Sequence, residues 1–282
     1  MNISLILAAL LPAVVLCVYV FKKDRVEKEP IGLLLLLLAL GAVSCFPAAY
    51  VEGVIGDVLN TVFAPLGVED ASGDVYLSSN IFYVYHFLKY FVGVALVEEG
   101  FKFLFLILAT KNNRNFNCLF DGMIYAIFVS LGFAALENVM YVSQYGFGNA
   151  VMRAVLAVPG HMFDAVLMGY YYSMWHIKDQ VVRFERSLKA QNILRVQTPE
   201  TDVRGSIWAC ILVPTLAHGF YDFCCTLDSW IAVLVFYAFV IFMYFHCFGK
   251  IRKMSYADGY IGDYAKSVLV RKYPSLFQSH AE

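Results

Sequence analysis

The chain has 282 residues, 60% of them hydrophobic and 15% charged, with a net charge of −1. Soluble domains carry about 45–50% apolar and about 25% charged residues, so a soluble enzyme is excluded. Apolar runs long enough to cross a hydrocarbon layer of ~30 Å in about 20 residues make this a polytopic membrane protein.

In chain order, apolar runs bounded by charge predict seven spans, near 3–21, 31–50, 82–110, 119–142, 150–177, 207–226 and 230–249. The expected fold is therefore all-α, a transmembrane helix bundle over 1–250 with a cytoplasmic tail over 251–282. No Lys or Arg precedes the first run, and Lys22, Lys23 and Arg25 follow it, so it reads as an anchor and not as a cleaved signal. The third and fifth runs exceed what a bilayer needs, which implies tilt, a kink or an interfacial part. Pro159 and Pro214 offer kinks in the fifth and sixth. Segment 51–80 reads as an acidic outer loop (Glu52, Asp57, Glu69, Asp70, Asp74) and a place for a sensor or lid. Segment 178–206 is a solvated connector or holds a short amphipathic helix on the inner leaflet. The seven cysteines lie in or at the ends of spans and form no disulfide framework or metal ribbon.

Basic residues give the orientation. Segments 22–29, 111–118, 178–206 and the tail from 250 onward hold 18 of the 21 Lys and Arg. The 51–80 loop holds none, so the start is expected outside and the tail in the cytoplasm. Lys89 and Lys102 fall within a span, and Arg153 lies beside the 143–149 loop.

A charge at the bilayer centre costs about 2.5–3.5 kcal/mol on insertion scales, so ionisable groups there need partners or a task. Glu98, Glu99 and Lys102 lie in the third span, Glu137 and Asn138 in the fourth, His161 and Asp164 in the fifth, and His218 and Asp222 in the sixth. Spacings of three or four put Lys102 beside either glutamate, and put each His–Asp pair on one helix face. At ~1.5 Å per residue these groups reach one layer roughly 18–27 Å above the cytoplasmic edge. Any one set alone reads as a salt bridge or as interhelical hydrogen bonding; agreement in depth argues for a shared site. Asp121, at the inner end of its span, reads as interfacial or helix-starting.

Several carboxylates and two imidazoles can bind zinc or a similar divalent ion, or activate water directly as general bases. The HExxH signature and a GxSG-type serine site are absent. EExxK (Glu98, Glu99, Lys102), FxxxEN (Phe133, Glu137, Asn138), the His161 segment running into Gly169 and Tyr170, and HxxxD (His218, Asp222) follow one another on four successive spans. With the early DRVEKEP stretch (Asp24 to Pro30), these motifs make the chain resemble the PrsW family of intramembrane proteases over about residues 20–226. That family belongs to a wider group with the CAAX prenyl endopeptidases and the Aph subunits of γ-secretase.

The resemblance implies a protease of the bacterial inner membrane that cuts a single-span membrane protein near its extracytoplasmic end. In the family this is typically an anti-sigma factor, cut first in a stress response by regulated intramembrane proteolysis. Carried over, the catalytic set is Glu98, Glu99, Lys102, Glu137, His218 and Asp222, with one of the adjacent glutamates as the base that activates water. The metal set is Glu99, Glu137, His161 and His218, for Zn2+ or another divalent ion. Relatives argued to use a glutamate without metal leave that mechanism open. Neither nucleic acid nor a particular oligomeric state is implied. Two other classes remain: a non-enzymatic scaffold or sensor that binds substrate helices, as the Aph resemblance permits, and an ion-coupled transporter. Against the transporter, no two-half repeat or pair of broken helices is visible.

Overall fold

A computed structural model describes residues 3–69 and 75–277. Its helices are α1 (Ile3–Lys23), α2 (Ile31–Phe63), α3 (Ser79–Phe87), α4 (Leu96–Thr110), α5 (Asp121–Tyr145), α6 (Phe147–Val155), α7 (Ala157–Ala190), α8 (Arg204–Cys225), α9 (Trp230–Tyr256) and α10 (Ile261–Lys272). The chain is an all-α helical bundle, and among the described residues six helical runs are long and apolar enough to cross a membrane. A short antiparallel hairpin, β1 (Gly67–Glu69) and β2 (Val75–Leu77), is an appendage at one end. Leu7, Leu35, Leu108 and Phe245 are all more than half exposed, forming the apolar outer surface that lipid tails require.

Boundaries differ from the sequence expectation for local reasons. α2 continues thirteen residues past position 50 to Phe63, because Val51, Val54, Ile55, Val58, Leu59, Val62 and Phe63 keep a helical stripe that only Pro65 interrupts. Much of the expected 51–80 loop is therefore helix, and part of the rest, 70–74, lies outside the described residues. The expected third span is helical from Ser79 to Thr110, but a π-helical stretch, Leu88–Ala95, separates α3 from α4. The expected fifth span is broken at Leu156, and Pro159 falls in the first turn of α7, where its missing N–H costs nothing. Gly146, at φ 79°, makes the corner between α5 and α6 that a Cβ would strain. At its other end α7 runs to Ala190 instead of stopping near 177, and Asn192, at φ 58°, closes it in the left-handed conformation.

α5 is the central helix. Every residue from Asp121 to Ala134 is buried, as expected of a helix that is apolar or small-residued all round. It packs on α1, α2, α4 and α7. The α2–α5 crossing is close because Gly41 lies against the Val129 carbonyl and Gly132 against the Leu38 carbonyl. Gly169 of α7 lies similarly against Met123 and the Gly122 carbonyl. Small residues that let backbones touch replace the hydrophobic drive that lipid cannot supply.

The tail is packed at the Lys/Arg-rich end. Cys118 bridges to Tyr260, and buried Glu185 accepts from Thr201 N, Lys272 Nζ and the Tyr273 hydroxyl at 2.7, 2.7 and 3.0 Å. At the same end Tyr125 donates to Glu29 Oε2 at 2.7 Å, and Asp24 Oδ2 accepts from Glu29 N at 3.0 Å. Asp121 starts α5 and accepts from the Asn117 and Cys118 amides at 2.9 and 2.6 Å, a helix-starting part in keeping with its position.

Two tests follow. A methyl at Gly132 would overlap the backbone of Leu38, which cannot swing aside. Gly132→Ala is therefore expected to lower stability by about 1–3 kcal/mol, while Gly249→Ala, with open space around it, leaves the melting temperature in detergent unchanged. Burial also pushes the Glu29 carboxyl from 4.5 to about 7, so the folded chain holds a proton that the unfolded chain releases. Stability should fall as pH rises from about 4.5 towards 7, by no more than about 3 kcal/mol, and level off above. Glu29→Gln should flatten that dependence in a pH series of melting temperatures.

Candidate active site

The π-helical stretch before α4 adds residues per turn ahead of Glu98 and Glu99, a device often found beside functional sites. Gly219 of α8 packs on Phe91 of that stretch, which draws the neighbouring His218 towards the glutamates. Ser130 of α5 donates to the His161 carbonyl at 2.8 Å and fixes the first turns of α7.

These contacts bring together every ionisable group that the sequence placed in the polar layer. Lys102 Nζ donates to Glu98 Oε2 at 3.0 Å and to Glu99 Oε1 at 2.7 Å, and meets His161 Nδ1 at 3.1 Å. It lies 4.2 Å from the centre of the Phe133 ring. An ammonium can only donate, so His161 accepts on Nδ1 and carries its proton on Nε2, which faces Glu137 Oε2 at 2.9 Å. His218 Nδ1 lies 3.0 Å from Glu99 Oε1, and its Nε2 lies 3.4 Å from Asp222 and 3.9 Å from Glu98. Asp164 approaches His218 Nδ1 at 3.8 Å. Glu99 and Lys102 are fully buried, whereas the Asp222 side chain is 24% exposed.

Glu98, Glu99, His161 and His218 each offer a donor atom, all within 4.8 Å of one another. Glu99 Oε2 is buried without a hydrogen-bond partner. Two carboxylates, two imidazoles and an orphaned oxygen fit a zinc-type ion. This compact set contains Glu98, where the sequence expectation had Glu137. Glu137 sits on the far nitrogen of His161, the position from which a carboxylate orients a ligand histidine. Asn138 faces away and donates to the Ala9 carbonyl at 2.7 Å, tying α5 to α1.

Two residues escaped sequence reasoning. Arg153 of α6 donates to Glu137 Oε2 at 2.7 Å and to Asn138 Oδ1 at 2.9 Å, with its guanidinium 4.1 Å from the Tyr141 ring centre. Its isolation from the other basic residues, at the Lys/Arg-poor end, was the available signal. Glu52, read as a loop residue, lies on α2 and faces the same cavity; the unbroken apolar stripe from Val51 to Phe63 was the clue. The cavity, about 380 Å³, is lined by Glu52, Glu98, Glu137, His161, His218 and Asp222 and by Phe239, Val240 and Met243 of α9.

Comparison with known proteins gives the family. The family model described as PrsW family intramembrane metalloprotease matches residues 29–247. Protease PrsW of Bacillus subtilis (strain 168) is 28% identical over 251 residues, covering 89% of this chain and 95% of that protein. Protease PrsW of Clostridioides difficile (strain 630) is 28% identical over 250 residues, 86% of this chain and 88% of that protein. Protease PrsW of Geobacillus kaustophilus (strain HTA426) is 28% identical over 258 residues, 91% and 93% of the two chains. No solved structure matches the chain significantly. With the family model spanning most of the sequence and the motif residues converging on one buried cluster, the chain belongs to the PrsW family of intramembrane proteases, multi-pass proteins of the bacterial cell membrane.

Proposed function

We propose that the cavity hydrolyses a peptide bond of a single-span membrane protein near its extracytoplasmic end, an anti-sigma factor being the kind of substrate the family resemblance favours. The positive-inside distribution supports this side, because the cavity lies away from the Lys/Arg-rich loops. The observation that carries the reading is the different access of the two adjacent glutamates. Glu98 lines the cavity, while Glu99 is fully buried between Lys102 and His218.

Glu98 is therefore the base. It takes a proton from water as the oxygen attacks the scissile carbonyl carbon, and later gives that proton to the amide nitrogen as the C–N bond breaks, leaving a carboxylic acid end and an amine end. Glu99 anchors His218 on Nδ1, so that Nε2 points towards the cavity, where it meets Asp222 at 3.4 Å and can donate to the developing oxyanion in place of that carboxylate. Lys102 offsets the charge of the two glutamates. Glu137 holds His161 by Nε2, and Arg153 in turn holds Glu137. A divalent ion on Glu98, Glu99, His161 and His218 would supply Lewis-acid polarisation of the scissile carbonyl.

Two experiments test this. Glu98→Gln, Glu99→Gln and His218→Ala, each co-expressed with a tagged single-span substrate, are expected to lose cleavage by about 10²-fold or more while the protein still accumulates. Unchanged cleavage in all three sinks the assignment. Arg153 acts through Glu137, so Arg153→Ala should lower kcat about 10–100-fold with little change in KM, and added guanidinium should restore part of the loss. A change confined to KM would place Arg153 in substrate binding instead.

A further inference from the structure

The donor set at the centre of the proposed reaction already holds a cation, and that cation belongs to the chain itself. Lys102 Nζ touches Glu98 Oε2, Glu99 Oε1 and His161 Nδ1 at 3.0, 2.7 and 3.1 Å. It thus contacts three of the four residues whose donor atoms gather within 4.8 Å. The competition is most direct at His161. Its Nε2 is engaged by Glu137 at 2.9 Å, so Nδ1 is the nitrogen left for an ion, and Nδ1 is the atom that Lys102 uses. Zinc bonds to carboxylate oxygen and imidazole nitrogen at about 2.0–2.2 Å. An ion at that distance from these atoms would press against an ammonium already seated on them, since both would need the same oxygen and nitrogen lone pairs.

We propose that Lys102 is the resident counter-ion of this donor set, and that Lys102 and a divalent metal ion hold it in alternation. The Lys102 side chain must withdraw before a metal can be bound, and its return expels the metal. This rests on reading the cluster as the protease centre. It goes further by giving Lys102 a task besides holding Glu98 and Glu99 together. As an internal competitor it lets the buried acids assemble in the membrane before any metal arrives, and it weakens the site's affinity for the ion that replaces it.

The test compares chelator-stripped wild type with Lys102→Met and Lys102→Arg in detergent, titrated with Co2+. Affinity and stoichiometry are read from the visible ligand-field bands and metal analysis, and stability from the melting temperature. Lys102→Met is expected to bind one Co2+ at least tenfold more tightly than wild type and to show the larger metal-induced rise in Tm. Lys102→Arg, which keeps a cation, should resemble wild type. Equal affinity in wild type and Lys102→Met, or binding by neither, overturns the proposal. Should Lys102→Met fail to fold, wild type alone decides by reductive methylation with mass spectrometry. Lys102 should be protected without metal and modified once Co2+ saturates, and protection that persists with one Co2+ bound overturns the idea. Substrate cleavage measured on the same wild-type preparation keeps the protease reading separate, since its loss bears on that reading and the metal titration bears on Lys102.

Discussion

The arrangement depends on one buried ammonium. Glu98 and Glu99 are neighbours in sequence, both are buried, and Glu137, Asp164 and Asp222 lie close by. Each charge at membrane depth costs about 2.5–3.5 kcal/mol without compensation, and removing one partner of a buried pair costs about 3–5 kcal/mol. Lys102, one helical turn beyond the glutamates, meets both and reaches across to His161 of α7. Its position on α4 therefore determines where α7 can sit. His218 is then drawn in by Glu99, which brings α8 to the same point. The contacts that join α4, α7 and α8 here are the contacts of the site itself.

Those contacts require helices to approach more closely than ordinary side chains allow. Gly41 with Gly132, and Gly169 against Met123 and Gly122, place α2, α5 and α7 with backbones in contact. These close crossings sit on the inner faces of the helices, while the bulky apolar residues such as Leu108 and Phe245 turn outward. Large side chains such as Phe120, Tyr125 and Tyr172 fill the spaces between these crossings. Precision in the polar cluster comes from this small-residue packing, because side chains a few atoms long can meet at hydrogen-bond distance only if their helices are held to within that tolerance.

Much of the site was legible in the sequence because a charge in an apolar run is conspicuous. Glu98, Lys102, His161 and His218 stood out for that reason, and helical spacing predicted which of them share a face. Glu137 shows where this reasoning stops. Its depth marked it as a member of the layer, but depth does not say which groups it meets; its contact with His161 Nε2 needed the tertiary structure. Arg153 and Glu52 were missed because hydropathy places span ends where polarity begins, whereas α2 continues for three further turns and α6 folds back over the site. The fold class followed from composition. The π-helical stretch, the break at Leu156 and the docking of α10 did not, because each is settled by tertiary contacts rather than by local preference.

The cavity joins two requirements that conflict in a membrane. Hydrolysis needs water and charged groups, and a spanning substrate needs its apolar side chains kept from water. Carboxylates and imidazoles from α2, α4, α5, α7 and α8 line the cavity together with Phe239, Val240 and Met243 of α9. α9 packs mainly on α7 and α8 and exposes most of its surface, with Phe242 and Phe245 outward. A substrate helix that unwinds in this cavity would free backbone N–H and C=O groups, each costing several kcal/mol in hydrocarbon. The polar residues of the lining would offer partners for those groups, and its apolar residues would cover the side chains. On the proposed reading, the surplus of acids over Lys102 and Arg153 around the cavity would supply acceptors for backbone amides exposed when a substrate unwinds.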